Sequence, residues 1–302
     1  MISVRSLTRR YGELVAVDNV DLEVAQGQLF AFLGPNGAGK STTINCLTTL
    51  MPFDSGEIDV DGHRLGQADH SVRQSIGVVF QKSVLDDKLT VRENLATRAA
   101  VYGLSANKTT ERINALAGQI GIGEFLGQRY GRLSGGQRRR TDIARALIHG
   151  PSILFLDEPT AGLDPKSREQ VLQTVKDLRA SEGVTVFHTT HYLEEVENVD
   201  HVAVINRGKI VASGTPGQLR AQFATSQLSI TPAEGASEAV RQALGQWDPK
   251  QAGVTWQADV GSGTQARRLL AELGEAVADF EFRHGTMDAA FLALTQREEE
   301  SA

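Results

Sequence analysis

The sequence predicts an α/β fold, and three observations carry that prediction. The apolar run Leu29 to Leu33 leads into Gly34-Pro-Asn-Gly-Ala-Gly-Lys-Ser-Thr42, and helical spacing follows from Thr43 to Leu50. Two more apolar runs, Ile153 to Leu156 and Val184 to Thr190, end abruptly in polar residues, as buried parallel strands do. From about Val84 to Arg132 the texture is helical, with Leu89 to Tyr102 and Thr109 to Ile120 the best-patterned stretches. That segment reads as a helical insertion into an α/β core.

Bulk properties narrow the class. The 302 residues have room for one large domain and a small one. A net charge of −6, with acids and bases mixed along the chain, argues against a nucleic-acid binder, which usually presents a basic face. No apolar run approaches the roughly 18–20 residues needed to span a bilayer. The start, Met-Ile-Ser-Val-Arg-Ser-Leu, lacks the charged-then-apolar build of a signal peptide, so a soluble, cytoplasmic chain is expected. The single cysteine, Cys46, fits a reducing compartment and reads as a packing residue rather than a reactive thiol.

Taken in order, residues 2 to 33 read as short strands, with Val20, Leu22 and Val24 alternating with Asp21 and Glu23. Tyr11 lies in an Arg-Tyr-Gly turn, where it is either a surface residue or a ring able to stack on a base. Gly34, Pro35, Asn36, Gly37, Ala38, Gly39, Lys40, Ser41 and Thr42 fit the phosphate-loop pattern, flanked by the strand and helix that the pattern requires. Glycines let the backbone turn its N–H groups around phosphate oxygens, and the helix N-terminus adds partial positive charge. Lys40 supplies a mobile cation for the β and γ phosphates, and the Ser41 hydroxyl suits Mg²⁺. Pro52 ends the loop helix, and Gly56 to Val60 and Ser75 to Phe80 are strand candidates, the second running into Gln81.

Leu133-Ser-Gly-Gly-Gln137 precedes three arginines and an apparent helix, Thr141 to His149. The double glycine offers a second helix start suited to an anion, and Arg138, Arg139 and Arg140 read as a solvated face. Ile153 to Leu156 finishes in Asp157-Glu158-Pro159, placing two carboxylates where α/β proteins put ligand chemistry. Asp157 suits Mg²⁺, usually through water, and Glu158 suits orienting and polarising an attacking water. Asp164 before Pro165 is a natural helix cap. His188 reads as a core residue and His191, just past the strand, as part of the site. Val202 to Ile205 and Lys209 to Val211 flank a hairpin turn. Beyond Ala224 the chain restarts, with strands near Leu228, Val254 and Val277 alternating with helices near Glu238, Gln265 and Met287, and closes in a solvated tail at 297–302.

The phosphate loop, Leu133-Ser-Gly-Gly-Gln137, Leu156-Asp-Glu-Pro159 and Thr190-His191, in that order, closely resemble the nucleotide-binding subunit of ABC transporters, over residues 1 to about 220. The resemblance implies a P-loop NTPase fold with a RecA-like parallel core, an antiparallel β subdomain and a helical subdomain at about 84–140. The ATPase domain would span 1–224 and a small α/β accessory module 225–302. ATP and Mg²⁺ are the implied cofactors. Tyr11 matches the adenine-stacking aromatic, Gln81 the glutamine that reaches Mg²⁺ and water and senses the membrane partner, and Glu158 the catalytic carboxylate. Ser134, Gly135, Gly136 and Gln137 match the signature that contacts the γ-phosphate held by the opposite subunit. Asp164 matches the loop crossing the dimer interface, and His191 the switch histidine. The partners implied are a second copy of the chain and a separate ABC-2 type membrane permease, without nucleic acid, at the cytoplasmic face of the membrane.

Asn45-Cys-Leu-Thr-Thr-Leu50, Gly135-Gly-Gln-Arg-Arg-Arg140, Thr189-Thr-His-Tyr-Leu-Glu-Glu195 and Met287-Asp-Ala-Ala-Phe-Leu-Ala-Leu294 look like the daunorubicin/doxorubicin-resistance type. That type implies export of drug-like or other small hydrophobic compounds, with lipid or glycan export as the alternative. Import or a non-transport role is less well matched. Thr141 and Cys46 depart from the residues usual there, and neither touches the chemistry.

Overall fold

The computed structural model describes residues 1–300, with side chains described through Leu294. The chain forms two compact units, Met1–Ser213 and Gly214–Ala302. In the first, β1 (Ile2–Tyr11) and β2 (Leu14–Val24) lead to β3 (Leu29–Leu33), the phosphate loop and α1 (Lys40–Leu47). Then come β4 (Ser55–Val60), β5 (His63–Arg64), α2 (Asp69–Ser75) and β6 (Ile76–Val79). The helical segment holds α3 (Val91–Val101), α4 (Ala106–Ile120) and α5 (Gly135–Leu147). It returns to β7 (Ile153–Asp157), α6 (Pro165–Glu182), β8 (Thr185–Thr190), β9 (His201–Asn206) and β10 (Lys209–Gly214).

Two sheets organise this unit. Strands β2-β1-β4-β5 form an antiparallel sheet, and the alternation in β2 buries Val20, Leu22 and Val24 while Asp21 and Glu23 face out. A six-stranded sheet runs β10-β9-β3-β8-β7-β6, parallel from β6 through β9. Every residue of β3, β7 and β8 is buried, which is why these strands read as unbroken runs. Parallel order puts the carboxyl ends of β3, β7 and β8 side by side, so the polar residues closing each run converge. The β9–β10 hairpin turns through Arg207 and Gly208, both left-handed at φ 46° and 83°, as a two-residue hairpin demands.

Local chemistry sets the helix limits. A reciprocal Thr90–Glu93 capping box starts α3, Ser105 caps α4, and left-handed Gly121 and Gly183 end α4 and α6. Two expectations are corrected. Helix α5 starts at Gly135, not Thr141, because Ser134 and Gln137 form a capping box that overrides the low helix propensity of two glycines. Arg138, Arg139 and Arg140 are not a solvated face: they donate to the backbone carbonyls of Gly131, Phe80 and Gly121, respectively.

The second unit comprises α7 (Pro216–Phe223), β11 (Ser226–Pro232), α8 (Ser237–Ala243), β12 (Lys250–Ala252), β13 (Thr255–Val260), α9 (Gly263–Leu273), β14 (Val277–Arg283) and α10 (Met287–Glu300). Its antiparallel sheet runs β12-β13-β11-β14, and Leu228, Ile230, Val240, Leu244, Val260 and Leu269 form its core. The compact division falls at Ser213/Gly214 rather than Ala224/Thr225, because α7 packs on α10 and belongs with the later elements. The expected solvated tail at 297–302 falls outside the residues whose side chains are described. Among the described residues, no helix is long and apolar enough to cross a membrane.

Candidate functional site

Steric closeness on both flanks shapes the phosphate loop. A Cβ on Gly34 would run into the Ile205 carbonyl, and one on Gly39, at φ +108°, into the Ala16 carbonyl. The loop is therefore seated against β2 and β9 by residues that only glycine can supply. Lys40, the first residue of α1, is buried at 4% exposure. Its ammonium donates to the Gly34 and Pro35 carbonyls at 2.7 and 3.0 Å and stands 3.4 Å from the Glu158 carboxylate. Burial lowers its pKa, and the charges of Glu158 and then Asp157 partly restore it.

The ends of β7 and β8 supply the acids. Their parallel register sets Asp157 opposite Thr189. The Thr189 hydroxyl donates to Asp157 Oδ1 at 2.7 Å and accepts the Glu158 N–H at 3.0 Å. Ser41 Oγ donates to the same Asp157 oxygen at 3.3 Å. Glu158 itself has φ +45°, a left-handed conformation that costs a non-glycine residue about 1–3 kcal/mol. Its carboxylate lies 3.3 Å from His191 Nδ1 through Oε1, and accepts from Gln81 Nε2 at 3.3 Å through Oε2. Gln81 is delivered by the segment after β6, whose Phe80 and Gln81 carbonyls accept from Arg139 of α5 at 2.6 and 3.1 Å. His188 lies in the core at 2% exposure, its pKa pushed down to about 4 by burial.

A cleft of about 430 Å³ opens over this cluster, lined by Tyr11, Leu14, Ala16, loop residues from Asn36 to Thr42, Gln81 and Glu158. Tyr11 stands there exposed, its hydroxyl donating to Met51 Sδ at 2.8 Å and Arg9 lying over its ring at 5.1 Å. Ser134 to Gln137 and Asp164 are not among the lining residues; they open two other helices. Ser134 Oγ accepts from Gln137 N at 3.3 Å, and Gln137 Oε1 accepts from Ser134 N at 3.0 Å. Asp164 caps α6 through Ser167 N at 3.0 Å, and Ser167 holds its carboxyl below the usual range. Cys46 is fully buried and its thiol is pushed up to about 11 by burial, a packing residue.

The structure thus brings Lys40, Ser41, Gln81, Asp157, Glu158 and His191 into one cluster and leaves the Ser134–Gln137 segment apart from its lining. Sequence reasoning missed Thr189, which ties both acids; the available signal was two hydroxyl residues, Thr189 and Thr190, closing an apolar strand. Among the described residues, no group of three or more His, Cys, Asp or Glu side chains could hold a metal ion. Ser41 and Asp157 instead offer a hard oxygen pair, which fits Mg²⁺ because that ion takes most of its shell from phosphate and water.

A glycine loop opening a helix beside a strand-end Asp-Glu pair defines a P-loop nucleotide-binding ATPase cassette. Residues 17–161 match the ABC transporter family model. The chain is 38% identical over 307 residues to the daunorubicin/doxorubicin resistance ATP-binding protein DrrA of Streptomyces peucetius, covering 97% of this chain and 92% of that protein. It is 36% identical over 304 residues to the daunorubicin resistance ATP-binding protein DrrA3 of Streptomyces coeruleorubidus, covering 97% and 95%. Among solved structures it resembles the dimeric structure of MJ0796, a bacterial ABC transporter cassette, with a TM-score of 0.65, 29% identity, and coverage of 71% of this chain and 98% of that one. The post-hydrolysis dimer of the same cassette bound to ADP and Pi aligns with a TM-score of 0.65 at 28% identity, covering 71% and 98%. The chain belongs to the ABC transporter ATP-binding proteins of the daunorubicin/doxorubicin-resistance type, and it is an ABC-type ATPase.

Proposed function

We propose that this chain is the ATP-hydrolysing subunit of an exporter, energising efflux of a drug-like or other small hydrophobic compound through a separate ABC-2 type permease at the cytoplasmic face of the membrane. One observation carries the reading: a single chain holds two anion-ready helix starts, and only the one at Lys40 has the hydrolytic groups beside it. The Ser134–Gln137 start serves a nucleotide held by a second copy, so two chains close around two ATP molecules. The dimeric MJ0796 cassette and the drug-resistance names of the relatives support this.

In this reading the adenine stacks on Tyr11, and the backbone of residues 34–42 and the Lys40 ammonium hold the phosphates. Glu158 orients and polarises the attacking water, Gln81 positions that water and reports on the permease, and His191 contacts the γ-phosphate. Ser41 and Asp157, with Gln81, would hold Mg²⁺, which would supply neutralisation of charge on the β and γ phosphates. Asp164 carries the turn that crosses to the partner subunit. The domain limits that follow are an ATPase unit closing near Ser213 and an accessory module after it.

The second reading is export of a lipid or glycan, and the Nod factor export ATP-binding protein I of Cupriavidus metallidurans, 40% identical over 220 residues, keeps non-drug cargo in view. Affinity isolation of the full chain from membranes, paired with drug-sensitivity and efflux assays of cells carrying wild type or Lys40→Ala, tests both. Retrieval of a permease and a Lys40-dependent loss of drug efflux are expected. Retrieval without any change in drug efflux would favour the second reading.

A further inference from the structure

Apart from the nucleotide cleft lies a partly open cavity of about 60 Å³ with largely apolar walls, among them Leu29, Leu156, Leu172 and Val175. Lys176, His188, Glu194, Glu195 and Asn198 line it too, and of these His188 and Glu195 are buried, at 2% and 5% exposure. Each has one atom, His188 Nε2 and Glu195 Oε2, with no hydrogen-bond partner among the described residues. Glu195 sits in the helical turn Leu193–Val196, just past His191. Its other oxygen accepts a short hydrogen bond from the Thr160 hydroxyl.

The placement of this bond is informative. Thr160 follows Glu158 by one proline, and Glu195 lies in the turn that follows His191. Glu195 therefore bridges the chain segments that carry the two groups found 3.3 Å apart in the cluster. A second tie runs parallel to it: the Arg168 guanidinium of α6 lies 3.9 Å over the Tyr192 ring. That arginine pairs with Glu194 at 3.4 Å, which leaves Glu195 without an ion-pair partner among the described residues. Burial raises the Glu195 pKa, while Thr160, Thr190, Arg168 and His191 pull it back.

We infer that Glu195 is a positioning residue of the hydrolytic site, a brace that holds the Thr160 turn to the segment following His191 and so fixes Glu158 against His191. The inference rests on the proposed roles of Glu158 and His191. Because the bridge is a hydrogen bond accepted by a side-chain oxygen, an amide can replace it, whereas a methyl group cannot.

The test compares Glu195→Gln, Glu195→Ala, Thr160→Ser and Thr160→Val in the full chain, each with a thermal melt. Glu195→Ala and Thr160→Val should each lower ATPase kcat about tenfold with KM for ATP within twofold, and the double variant should be no slower than either single. Glu195→Gln and Thr160→Ser should stay within twofold of wild type. In histidine-labelled protein the His191 ring resonances should shift in the two deleterious variants and not in the conservative pair. Equal damage from Glu195→Gln and Glu195→Ala, multiplicative losses in the double variant, or an unmoved His191 signal would overturn the brace. If Glu195→Ala does not fold, the two Thr160 variants make the same comparison. Normal turnover in Glu158→Gln and His191→Ala would instead defeat the assignment of the hydrolytic groups, while the His191 spectrum still reports on the brace.

Discussion

The Lys40 ammonium and the Glu158 carboxylate face each other at 3.4 Å in a nearly dry setting, with Lys40 also anchored on two loop carbonyls. On the proposed roles, a nucleotide that draws the lysine toward its phosphates would free the carboxylate to act as a base, so binding and activation would be two sides of one exchange of partners.

Glu158→Gln tests that exchange. Turnover should fall by roughly 10²–10⁴-fold, the usual worth of a positioned general base. ATP affinity should hold or improve, because Lys40 no longer leaves an anionic partner. Calorimetric affinity and steady-state phosphate release measure the two quantities separately, and a parallel loss of both would contradict the exchange.

Tyr11→Ala should weaken nucleotide binding by about 1–3 kcal/mol if its exposed ring stacks on the base. Phenylalanine at this position should keep most of the affinity while losing only the Met51 contact. An unchanged dissociation constant in Tyr11→Ala would make the residue an ordinary surface tyrosine.

Gly34→Ala and Gly37→Ala separate crowding from backbone conformation. A methyl at Gly34 meets the Ile205 carbonyl, so the variant should lose about 1–3 kcal/mol of stability as well as nucleotide binding. At Gly37, with φ +81° and open space around the added carbon, the loss should be about 1–2 kcal/mol. Urea unfolding of both variants gives the comparison.

His188 makes stability depend on pH. Its imidazole stays neutral in the folded chain down to about pH 4, whereas an unfolded one takes a proton near the ordinary value of 6.5. Below pH 6.5 the unfolded state therefore binds the extra proton, so stability is full above that value and falls as pH drops toward 4. The ceiling is about 3 kcal/mol across that window. His188→Leu should flatten this part of the profile, seen as a smaller difference between urea midpoints at pH 7 and pH 4.5.

A chain ending at Ser213 should bind nucleotide as the full chain does, since the whole cleft precedes that point. One ending at Ala224 keeps α7 without α10 and exposes Leu219, which is otherwise 1% exposed. It should be the more aggregation-prone of the two in light scattering.

The all-buried strands β3, β7 and β8 were plain in the sequence because nothing polar interrupts them. Helix α2 was not, because Val72 is its single buried residue and no apolar stripe marks it. The start of α5 was hidden by two glycines, although Ser134-x-x-Gln137 was a capping box in plain view. Lys40, Asp157 and Glu158 could be named from local pattern. Thr189 and Glu195 could not, since their importance comes from which strand lies beside which, and adjacency in a parallel sheet is not written in any one segment.

Gly136 leaves so little room that an added methyl would press on Ser167 at 2.9 Å. The start of α5 thus packs directly on the Ser167 side chain in the first turn of α6. So close a joint leaves the two helix starts little room to move separately: a shift of the Ser134–Gln137 tip would be felt first at Ser167, one turn from Asp164.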